Sequence, residues 1–215
     1  MRAVLFANGT FSQHFSPDGE DIVIAADGGA HHCLALGLYP AFVIGDLDSL
    51  SENDLENLRR HGAQIVQFPT RKDYTDLELA ISYAQDLGAD EILILGALGS
   101  RWDQTLANLL LPAGFPSAKI RLVDGNQEFY YIRSGETACL SGRPGDTVSL
   151  IPLCGEAQGI STRNLEYPLE NEPLQLGSTR GVSNVLTADH AQVTLGEGWL
   201  VCVIQHQLDR KNEEA

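Results

Sequence analysis

Short apolar runs recur through the first 125 residues of this chain, and they constrain its fold more than any other feature. Runs that are rich in Ile, Val and Leu and separated by helix-like segments are typical of a parallel sheet with helices packed against it. The runs lie at 3–7, 22–26, 42–45, 64–68, 91–95 and 119–123. We therefore predict an α/β domain with a mostly parallel sheet and flanking helices.

Two segments between these runs have the periodicity of amphipathic helices. In Tyr74–Leu87, apolar residues recur three or four positions apart, and Gly88 follows as a C-terminal cap. Leu50–His61 has the same pattern, with Ser51 as the predicted N-cap and Gly62 as the residue that ends the helix. Both helices fit between strands of the predicted sheet.

The pattern changes from about Glu128 onwards. Segments such as TVSLIPL, AQVTL and WLVCVIQ are strand-like, and glycine and proline interrupt any helical period. We predict a smaller all-β domain, a sandwich or a barrel, that begins within roughly ten residues of Gly125. The predicted domains are thus 1–125 and 126–215, and the charged tail at 209–215 is predicted to fray.

The charge of the chain restricts its partners. It carries 29 acidic and 14 basic residues, so nucleic acid is not an expected partner, and phosphate binding would need a cation as intermediary. The four cysteines are widely spaced, which is typical of reduced core thiols. The first apolar run is too short for a signal peptide or a membrane span, so we expect a cytoplasmic location and no membrane partner.

Acidic residues follow three successive apolar runs. Asp27 comes after the second run, Asp46 and Asp48 come after the third, and Asp73 and Asp76 come after the fourth. Because ligands of open α/β sheets bind at the carboxyl ends of the strands, these carboxylates are predicted to share one rim. If Asp46 and Asp48 are extended, they lie on the same side, about 6.5–7 Å apart along the backbone. Such a rim suits Mg²⁺, or Mn²⁺, with a polyphosphate.

Each aspartate also has an ordinary structural interpretation. Asp73 or Asp76 could cap the helix that follows, where the sequence TDLE resembles a capping box. Asp48 could be a turn residue, and Asp27 could belong to a tight turn. These interpretations give no common reason for three acidic strand ends, and we therefore favour the metal site.

Two further segments could contact a nucleotide. Gly28 and Gly29 let the backbone approach a ligand closely, and the helix N-terminus after them offers N–H groups to phosphate or ribose oxygens. After the fifth run, Arg101 could bind a phosphate bidentately, and Asp103 could be a helix N-cap or an active-site acid. The chain contains neither a Walker A nor a GxGxxG motif.

The chain contains, in this order, the motifs DGGA, GDLDS, KDYTD and GSRWDQTLAN, and its second domain contains TVSLIPL and GVSN. This set resembles the thiamine pyrophosphokinase family. The resemblance implies an N-terminal domain that binds MgATP, a β domain that helps to bind thiamine, and a homodimer with active sites between subunits. It also implies transfer of the β,γ-pyrophosphoryl group of ATP to the thiamine hydroxyl, with release of AMP.

The resemblance also implies roles for particular residues. The metal and phosphate rim would consist of Asp27, Asp46, Asp48 and Asp73. Asp76, Arg101 and Asp103 would complete the nucleotide and acceptor surroundings, and Ser183 and Asn184 would contact thiamine from the β domain. Further candidate binding residues are Gly28, Gly29, Lys72 and Gln104. Asp73 is our first choice for the base that accepts the hydroxyl proton, Asp103 is the second, and Arg101 or Lys72 would balance charge.

Two positions depart from the family pattern. Gln104 stands where histidine is usual, and Val185 stands where an acidic residue is usual. Gln104 can form hydrogen bonds but cannot carry a proton or a charge. Two alternatives therefore remain open: a pyrophosphokinase for another heterocyclic alcohol, such as a pterin, and a non-catalytic sensor of nucleotide or thiamine. The number of metal ions also remains open.

Overall fold

The structure, a computed structural model, describes residues 1–208, and the tail predicted to fray, 209–215, lies outside them. The chain divides into two compact units, with the division between Gly125 and Asn126. Each unit has its own hydrophobic core. No helix within residues 1–208 is long and apolar enough to cross a membrane.

The first unit is built on a parallel sheet of six strands. They are β1 (Arg2–Phe6), β2 (Ile22–Ala26), β3 (Phe42–Gly45), β4 (Gln64–Gln67), β5 (Glu91–Leu95) and β6 (Lys119–Asp124). Their order is β6-β5-β1-β2-β3-β4, and all neighbouring pairs are parallel. The chain moves from β1 to β4 in one direction and then returns to the other side of β1, and such a reversal opens a crevice at the carboxyl ends of the strands. The predicted parallel sheet is confirmed.

Four helices connect the strands within residues 1–125: α1 (Gly29–Ala35), α2 (Glu52–Arg60), α3 (Asp76–Asp86) and α4 (Trp102–Leu110). Both predicted helices are confirmed as α2 and α3. Ser51 starts α2 in a capping box, and Thr75 Oγ1 accepts a hydrogen bond from Glu78 N at the start of α3. Gly62 and Gly88 follow these helices with φ of +92° and +90°, a left-handed conformation that glycine adopts without strain.

The central strands of the sheet are buried on both faces, which explains why their sequences are continuous apolar runs. Phe6 of β1, Ile24 of β2 and Ile94 of β5 have no exposed area. Cys33 of α1 and Leu58 of α2 belong to the same core cluster as Phe6, and α3 packs against β1, β2 and β3. This packing provides a rigid base for the loops at the carboxyl ends of the strands.

The second unit contains two antiparallel sheets and, within residues 126–208, no helix. Its strands are β7 (Gln127–Arg133), β8 (Thr137–Ser141), β9 (Thr147–Pro152), β10 (Ala157–Arg163), β11 (Glu172–Leu174), β12 (Asn184–Val185), β13 (His190–Thr194) and β14 (Trp199–Gln205). One sheet has the order β12-β9-β14-β7, the other has the order β11-β10-β13-β8, and both contribute to one core. The prediction of an all-β second domain is confirmed.

All four cysteines are free thiols. Cys33 and Cys202 are buried as predicted, and burial raises the pKa of Cys33 to about 12. The expectation of a core position is wrong for Cys139 and Cys154, which are exposed. Cys139 lies on β8, where side chains alternate between the two faces, and it occupies the outer face.

Asp146 is a buried carboxylate that ties the end of β14 to the turn before β9. Its side chain is 1% exposed and accepts hydrogen bonds from Arg143 N and Gln207 N, each at 2.9 Å, and from His206 Nδ1 at 2.8 Å. Burial alone would raise the pKa of Asp146, but these hydrogen bonds outweigh burial and the pKa is lowered. The charged form is therefore favoured in the folded protein.

We predict that Asp146→Asn lowers the free energy of unfolding by about 1.5–3 kcal/mol near neutral pH, the usual contribution of hydrogen bonds to a charged group. Because the folded-state pKa is lowered, the contribution of Asp146 is present above the ordinary aspartate pKa of about 4 and is lost as the pH falls through the folded-state value. Urea denaturation from about pH 3 to pH 8 measures the difference in the free energy of unfolding between wild type and Asp146→Asn. This difference should become smaller in acid. The control is Asp189→Asn, at an exposed aspartate of the same unit. Equal stability of Asp146→Asn and wild type at neutral pH would contradict the prediction.

Candidate active site

An open cleft lies at the carboxyl ends of the parallel strands, and all of its lining residues belong to the first unit. Its volume is about 680 Å³, within the usual range for pockets that bind small ligands. The lining residues follow the five strands β1 to β5 and fall within 7–10, 26–27, 46–49, 70–77 and 97–108. The cleft therefore occupies the place where the strand order predicts a ligand site.

Three aspartates on this cleft, Asp27, Asp46 and Asp76, form a cluster that we name the acidic group. One carboxylate oxygen from each lies within 4.8 Å of the others. Asp27 directly follows β2, Asp46 directly follows β3, and Asp76 is the first residue of α3. The carboxyl ends of neighbouring parallel strands thus bring these carboxylates together.

Lys72 is the cation of this cluster. Its Nζ lies 3.3 Å from Asp46 Oδ2 and 3.1 Å from Asp76 Oδ1, and its side chain is 12% exposed. Burial lowers the pKa of Lys72, but the attraction of Asp76 and Asp46 outweighs burial, so the net shift is upward and the ammonium stays charged. Burial raises the pKa of Asp76, Lys72 counteracts this, and Asp46 and Asp27 raise it further. One ammonium therefore does not balance three carboxylates.

The oxygens of the acidic group fit a divalent metal ion. Asp27 Oδ1 is buried and accepts no hydrogen bond within the described part of the chain. Asp76 Oδ1 is also buried, and its contact with Lys72 is an ion pair without hydrogen-bond geometry. Buried carboxylate oxygens are unfavourable without a donor or a cation. Mg²⁺ and Mn²⁺ prefer oxygen ligands, and Mg²⁺ usually combines one or two carboxylates with water and substrate phosphates. The residues at the acidic group supply such a set of ligands.

The glycine pair after Asp27 is explained by packing. Asp27 itself has a left-handed φ of +45°. A Cβ at Gly28 would lie 2.4 Å from Asn8 Cγ, and a Cβ at Gly29 would lie 1.9 Å from Phe6 O. Gly28 and Gly29 are not lining residues of the cleft. Glycine is required at these two positions because the backbone packs closely against β1 and the segment after it.

Asp48 does not belong to the acidic group, although sequence analysis predicts it as a metal ligand. Leu47, between Asp46 and Asp48, has φ of +68°, and Asp48 begins a turn. The two aspartates therefore do not form the extended pair that places both side chains on one side. Asp48 is exposed on the wall of the cleft.

The predicted catalytic residues lie towards the rim. Asp73 is exposed and does not line the cleft, whereas Lys72 directly before it does. Arg101 is the N-cap residue of α4 and donates to Asp103, with Nε at 3.3 Å from Oδ1 and Nη2 at 2.5 Å from Oδ2. Arg101 lowers the pKa of Asp103, and both side chains are about two-thirds exposed, at 66% and 67%. Arg101 and Gln104 line the cleft, and Asp103 does not.

Sequence analysis missed the segment after β1. Asn8, Gly9 and Thr10 line the cleft. Gly9 N donates to Gly96 O and Thr10 N donates to Leu98 O, each at 2.7 Å, which joins this segment to the loop after β5. A Cβ at Gly9 would lie 2.3 Å from Leu98 O. The position of Asn8-Gly9 directly after an apolar run could have indicated a site, as it does for the acidic segments. Asn8-Gly9 carries no charge, however, and so lacks the feature that distinguishes those segments. Other polar lining residues that were not predicted as site residues are Ser49, Thr70, Tyr74, Thr75, Ser100, Thr105 and Asn108.

The two residues predicted to contact thiamine lie in the second unit. Their side chains differ in whether they are free to bind a ligand. The Asn184 side chain accepts from Tyr167 N at 3.0 Å and from Val185 N at 2.9 Å, and it donates to Tyr167 O at 2.7 Å. Asn184 therefore holds the backbone at Tyr167. Ser183 is exposed, with a left-handed φ of +63°, and its backbone N–H donates to Ser149 Oγ at 3.1 Å.

A cleft at the carboxyl ends of a parallel sheet, lined by clustered carboxylates and a lysine, is typical of enzymes that act on polyphosphates with a divalent metal ion. Comparison with known proteins makes the class more specific. The family model for the thiamin pyrophosphokinase catalytic domain matches residues 17–123, and the model for the thiamin pyrophosphokinase vitamin B1 binding domain matches residues 136–200. The chain belongs to the thiamine pyrophosphokinase family and is a pyrophosphokinase.

Individual relatives agree with this assignment. The thiamine pyrophosphokinase of Bacillus subtilis is 29% identical over 188 residues, which cover 86% of this chain and 88% of the relative. The crystal structure of a Bacillus subtilis thiamine pyrophosphokinase has a TM-score of 0.86 at 26% identity, over 97% of this chain and 100% of that one. A family protein from Enterococcus faecalis has a TM-score of 0.85 at 25% identity, with the same coverage. These findings confirm the predicted family and fold class, and they do not favour a pterin acceptor or a non-catalytic sensor.

We predict that Asp76→Asn raises the thermal midpoint of unfolding by a few degrees when divalent metal is removed with EDTA. The folded-state pKa of Asp76 is raised, so its ionised form, present at neutral pH, costs stability that a neutral side chain of the same shape would not. Adding Mg²⁺ should stabilise wild type more than the variant, because a ligand that binds the folded state stabilises it more when its affinity is higher.

Asp86→Asn is the matched control for this prediction, since Asp86 is exposed on the same helix. The thermal midpoint of Asp86→Asn should match that of wild type both with EDTA and with Mg²⁺. A midpoint for Asp76→Asn below that of wild type in EDTA would show that the attraction between Asp76 and Lys72 outweighs the repulsion within the acidic group.

Proposed function

We propose that this chain transfers the β,γ-pyrophosphoryl group of MgATP to the hydroxyl of thiamine, giving thiamine diphosphate and AMP, and that the acidic group is the centre of this reaction. The observation that carries the proposal is the convergence of Asp27, Asp46 and Asp76 with Lys72 on one cleft of a size suited to a nucleotide. Pyrophosphoryl transfer depends mainly on positioning and on balancing negative charge.

The acidic group would hold Mg²⁺, or Mn²⁺, which supplies positive charge beside the phosphates when it is bound. Lys72 holds Asp46 and Asp76 together against their mutual repulsion and keeps its own charge at neutral pH. Asp48 adds a carboxylate to the cleft wall. The chain's own residues thus fix the position of the nucleotide's charged end and exclude anions that carry no cation.

Arg101 and Gln104 would contact the nucleotide from the start of α4, since both line the cleft. The bond to Asp103 restrains the guanidinium of Arg101 and leaves further N–H groups free for phosphate oxygens. This pairing makes Asp103 a weak base, because Arg101 lowers its pKa. Asp103 therefore serves to position Arg101.

Asp73 remains our proposed base for the thiamine hydroxyl. It is exposed, and it lies between Lys72 and Tyr74, both of which line the cleft. An exposed carboxylate outside the acidic group is free to meet an acceptor that enters from the open side. In this proposal Asp73 is not a metal ligand, because it lies outside the acidic group.

We expect the purified chain to release one AMP for each thiamine diphosphate formed, with Mg²⁺ and thiamine both required. We predict that Asp73→Asn lowers turnover by about 10²–10⁴, the usual contribution of a general base. Measured affinity for Mn²⁺ should stay at the wild-type value in this variant, since Asp73 lies outside the acidic group. Asp46→Asn should lower both turnover and Mn²⁺ affinity.

Two outcomes would contradict these assignments. Near-normal turnover of Asp73→Asn would remove Asp73 from the mechanism, and a loss of Mn²⁺ affinity in that variant would make it a metal ligand instead. AMP release that is independent of thiamine and stimulated by a pterin alcohol would change the acceptor.

Thiamine recognition would use Ser183, whose side chain is exposed, with Asn184 acting through the backbone that it holds at Tyr167. A homodimer would complete the active sites, as the family resemblance implies. We also propose a cytoplasmic location, which suits four unpaired cysteines.

The face of α4 supports the proposed homodimer. Trp102, Leu106 and Leu110 recur every four residues and are 75%, 57% and 51% exposed. Side chains four residues apart lie on one face of a helix, and contiguous apolar faces are often interaction sites. A second copy of this chain is the proposed occupant of this apolar stripe.

We predict that Leu106→Glu shifts the protein from dimer to monomer at micromolar concentration, because a buried unpaired carboxylate strongly opposes association. Sedimentation velocity measures the change. Leu87→Glu, at an exposed leucine that ends α3, is the matched control and should remain dimeric. A monomeric wild type, or a Leu106→Glu variant as dimeric as wild type, would rule out this interface.

A further inference from the structure

Ser49 is a polar residue of the cleft that has no role in the proposed mechanism. It lies in the turn after β3 and is exposed as a residue, but its hydroxyl points back to the carboxylate that follows β2. Ser49 Oγ donates a hydrogen bond to Asp27 Oδ2. Asn8 Nδ2, from the segment after β1, lies 3.4 Å from Ser49 Oγ and donates to it. The ends of three neighbouring strands are thus linked by one chain of hydrogen bonds.

The direction of this chain follows from the groups involved. A carboxylate can only accept, so the hydroxyl of Ser49 must be the donor towards Asp27. The amide of Asn8 occupies a lone pair of the same hydroxyl oxygen, which leaves its single hydrogen for a carboxylate. Asp48 Oδ1 is the competing acceptor, but its distance of 3.4 Å from Ser49 Oγ exceeds the usual range for a hydrogen bond between oxygens. The hydrogen of Ser49 is therefore directed to Asp27.

This bond makes the two carboxylate oxygens of Asp27 different from each other. Oδ2 is taken by Ser49, and Oδ1 is buried without a hydrogen bond among the residues that the structure describes. The residue is only 5% exposed, so neither oxygen can turn freely to solvent. A carboxylate held by one oxygen presents the other in a fixed direction.

We propose that Ser49 is a positioning residue that holds the carboxylate of Asp27 so that Oδ1 is available to the divalent cation of the acidic group. This inference rests on the proposed function, because it needs the acidic group to be the metal site. Asn8 supports Ser49 by fixing the orientation of its hydroxyl. Hydrogen-bond partners of metal-binding carboxylates typically contribute about 10- to 100-fold to metal affinity.

The test measures Mn²⁺ binding to the full chain without nucleotide, by the loss of the electron paramagnetic resonance signal of free Mn²⁺. Ser49→Thr and Ser49→Val have nearly the same shape, and only the first keeps the hydroxyl. We expect Ser49→Val to weaken Mn²⁺ binding by about 10- to 100-fold and Ser49→Thr to bind like wild type. In an Asp27→Asn background, Ser49→Val should have no further effect.

A neighbouring serine separates metal binding from stability. Ser51→Ala removes the N-cap of α2, so it should lower the thermal midpoint while leaving Mn²⁺ affinity unchanged. If Ser49→Val does not fold, Ser49→Ala takes its place in the comparison with Ser49→Thr.

The outcomes distinguish this inference from the proposed function. If Ser49→Thr and Ser49→Val bind Mn²⁺ equally, the hydroxyl does not position Asp27 and the inference is overturned, although the metal site stands as long as Asp27→Asn weakens binding. If Asp27→Asn binds Mn²⁺ as wild type does, the proposed metal site itself fails, and the inference fails with it. Rescue by threonine but not by valine supports both.

Discussion

The repulsion within the acidic group is the physical constraint that the rest of the first unit must offset. Three carboxylates have oxygens within 4.8 Å of one another, and one lysine contacts two of them. At about 5 Å and an effective dielectric constant of about 20, each pair of full charges repels by roughly 3 kcal/mol. Because whole domains are stable by only about 5–15 kcal/mol, the scaffold must impose this arrangement.

The scaffold imposes it through backbone geometry as well as through packing. Asp27 and Leu47 both have left-handed φ values, which cost non-glycine residues on the order of 1–2 kcal/mol each. These residues lie at the ends of β2 and β3, whose buried side chains leave the backbone little freedom. Asp76 occupies the first turn of α3, where the helix dipole favours negative charge. Repulsion between carboxylates and left-handed backbone conformations both destabilise this site. The packing of the core and the dipole of α3 offset them.

The sequence predicts the strands, the helices and the convergence of carboxylates, because each depends on local periodicity and on the parallel order of the sheet. It does not predict which carboxylates converge. The prediction of Asp48 as a metal ligand requires an extended segment, and nothing in GDLDS indicates the left-handed conformation of Leu47. Asp76 was partly predictable, since the cap at Thr75 places Asp76 in the first turn of α3, beside the strand ends. Asn8 is not predicted, because the segment after β1 carries no charge, unlike the acidic segments that indicate the site.

The same charge imbalance bears on which form of nucleotide the cleft accepts. A free triphosphate carries several negative charges, and it would meet a chain of net charge −15 at a cluster with excess carboxylate. A triphosphate that already carries a divalent cation presents fewer negative charges and brings the positive charge that Asp27 Oδ1 lacks. Under the proposed function, this repulsion would favour the cation-bound polyphosphate over the bare one, so the acidic group would serve specificity as well as catalysis. Lys72 limits the repulsion among the carboxylates, which would explain why a lysine lies among the residues proposed to bind a cation.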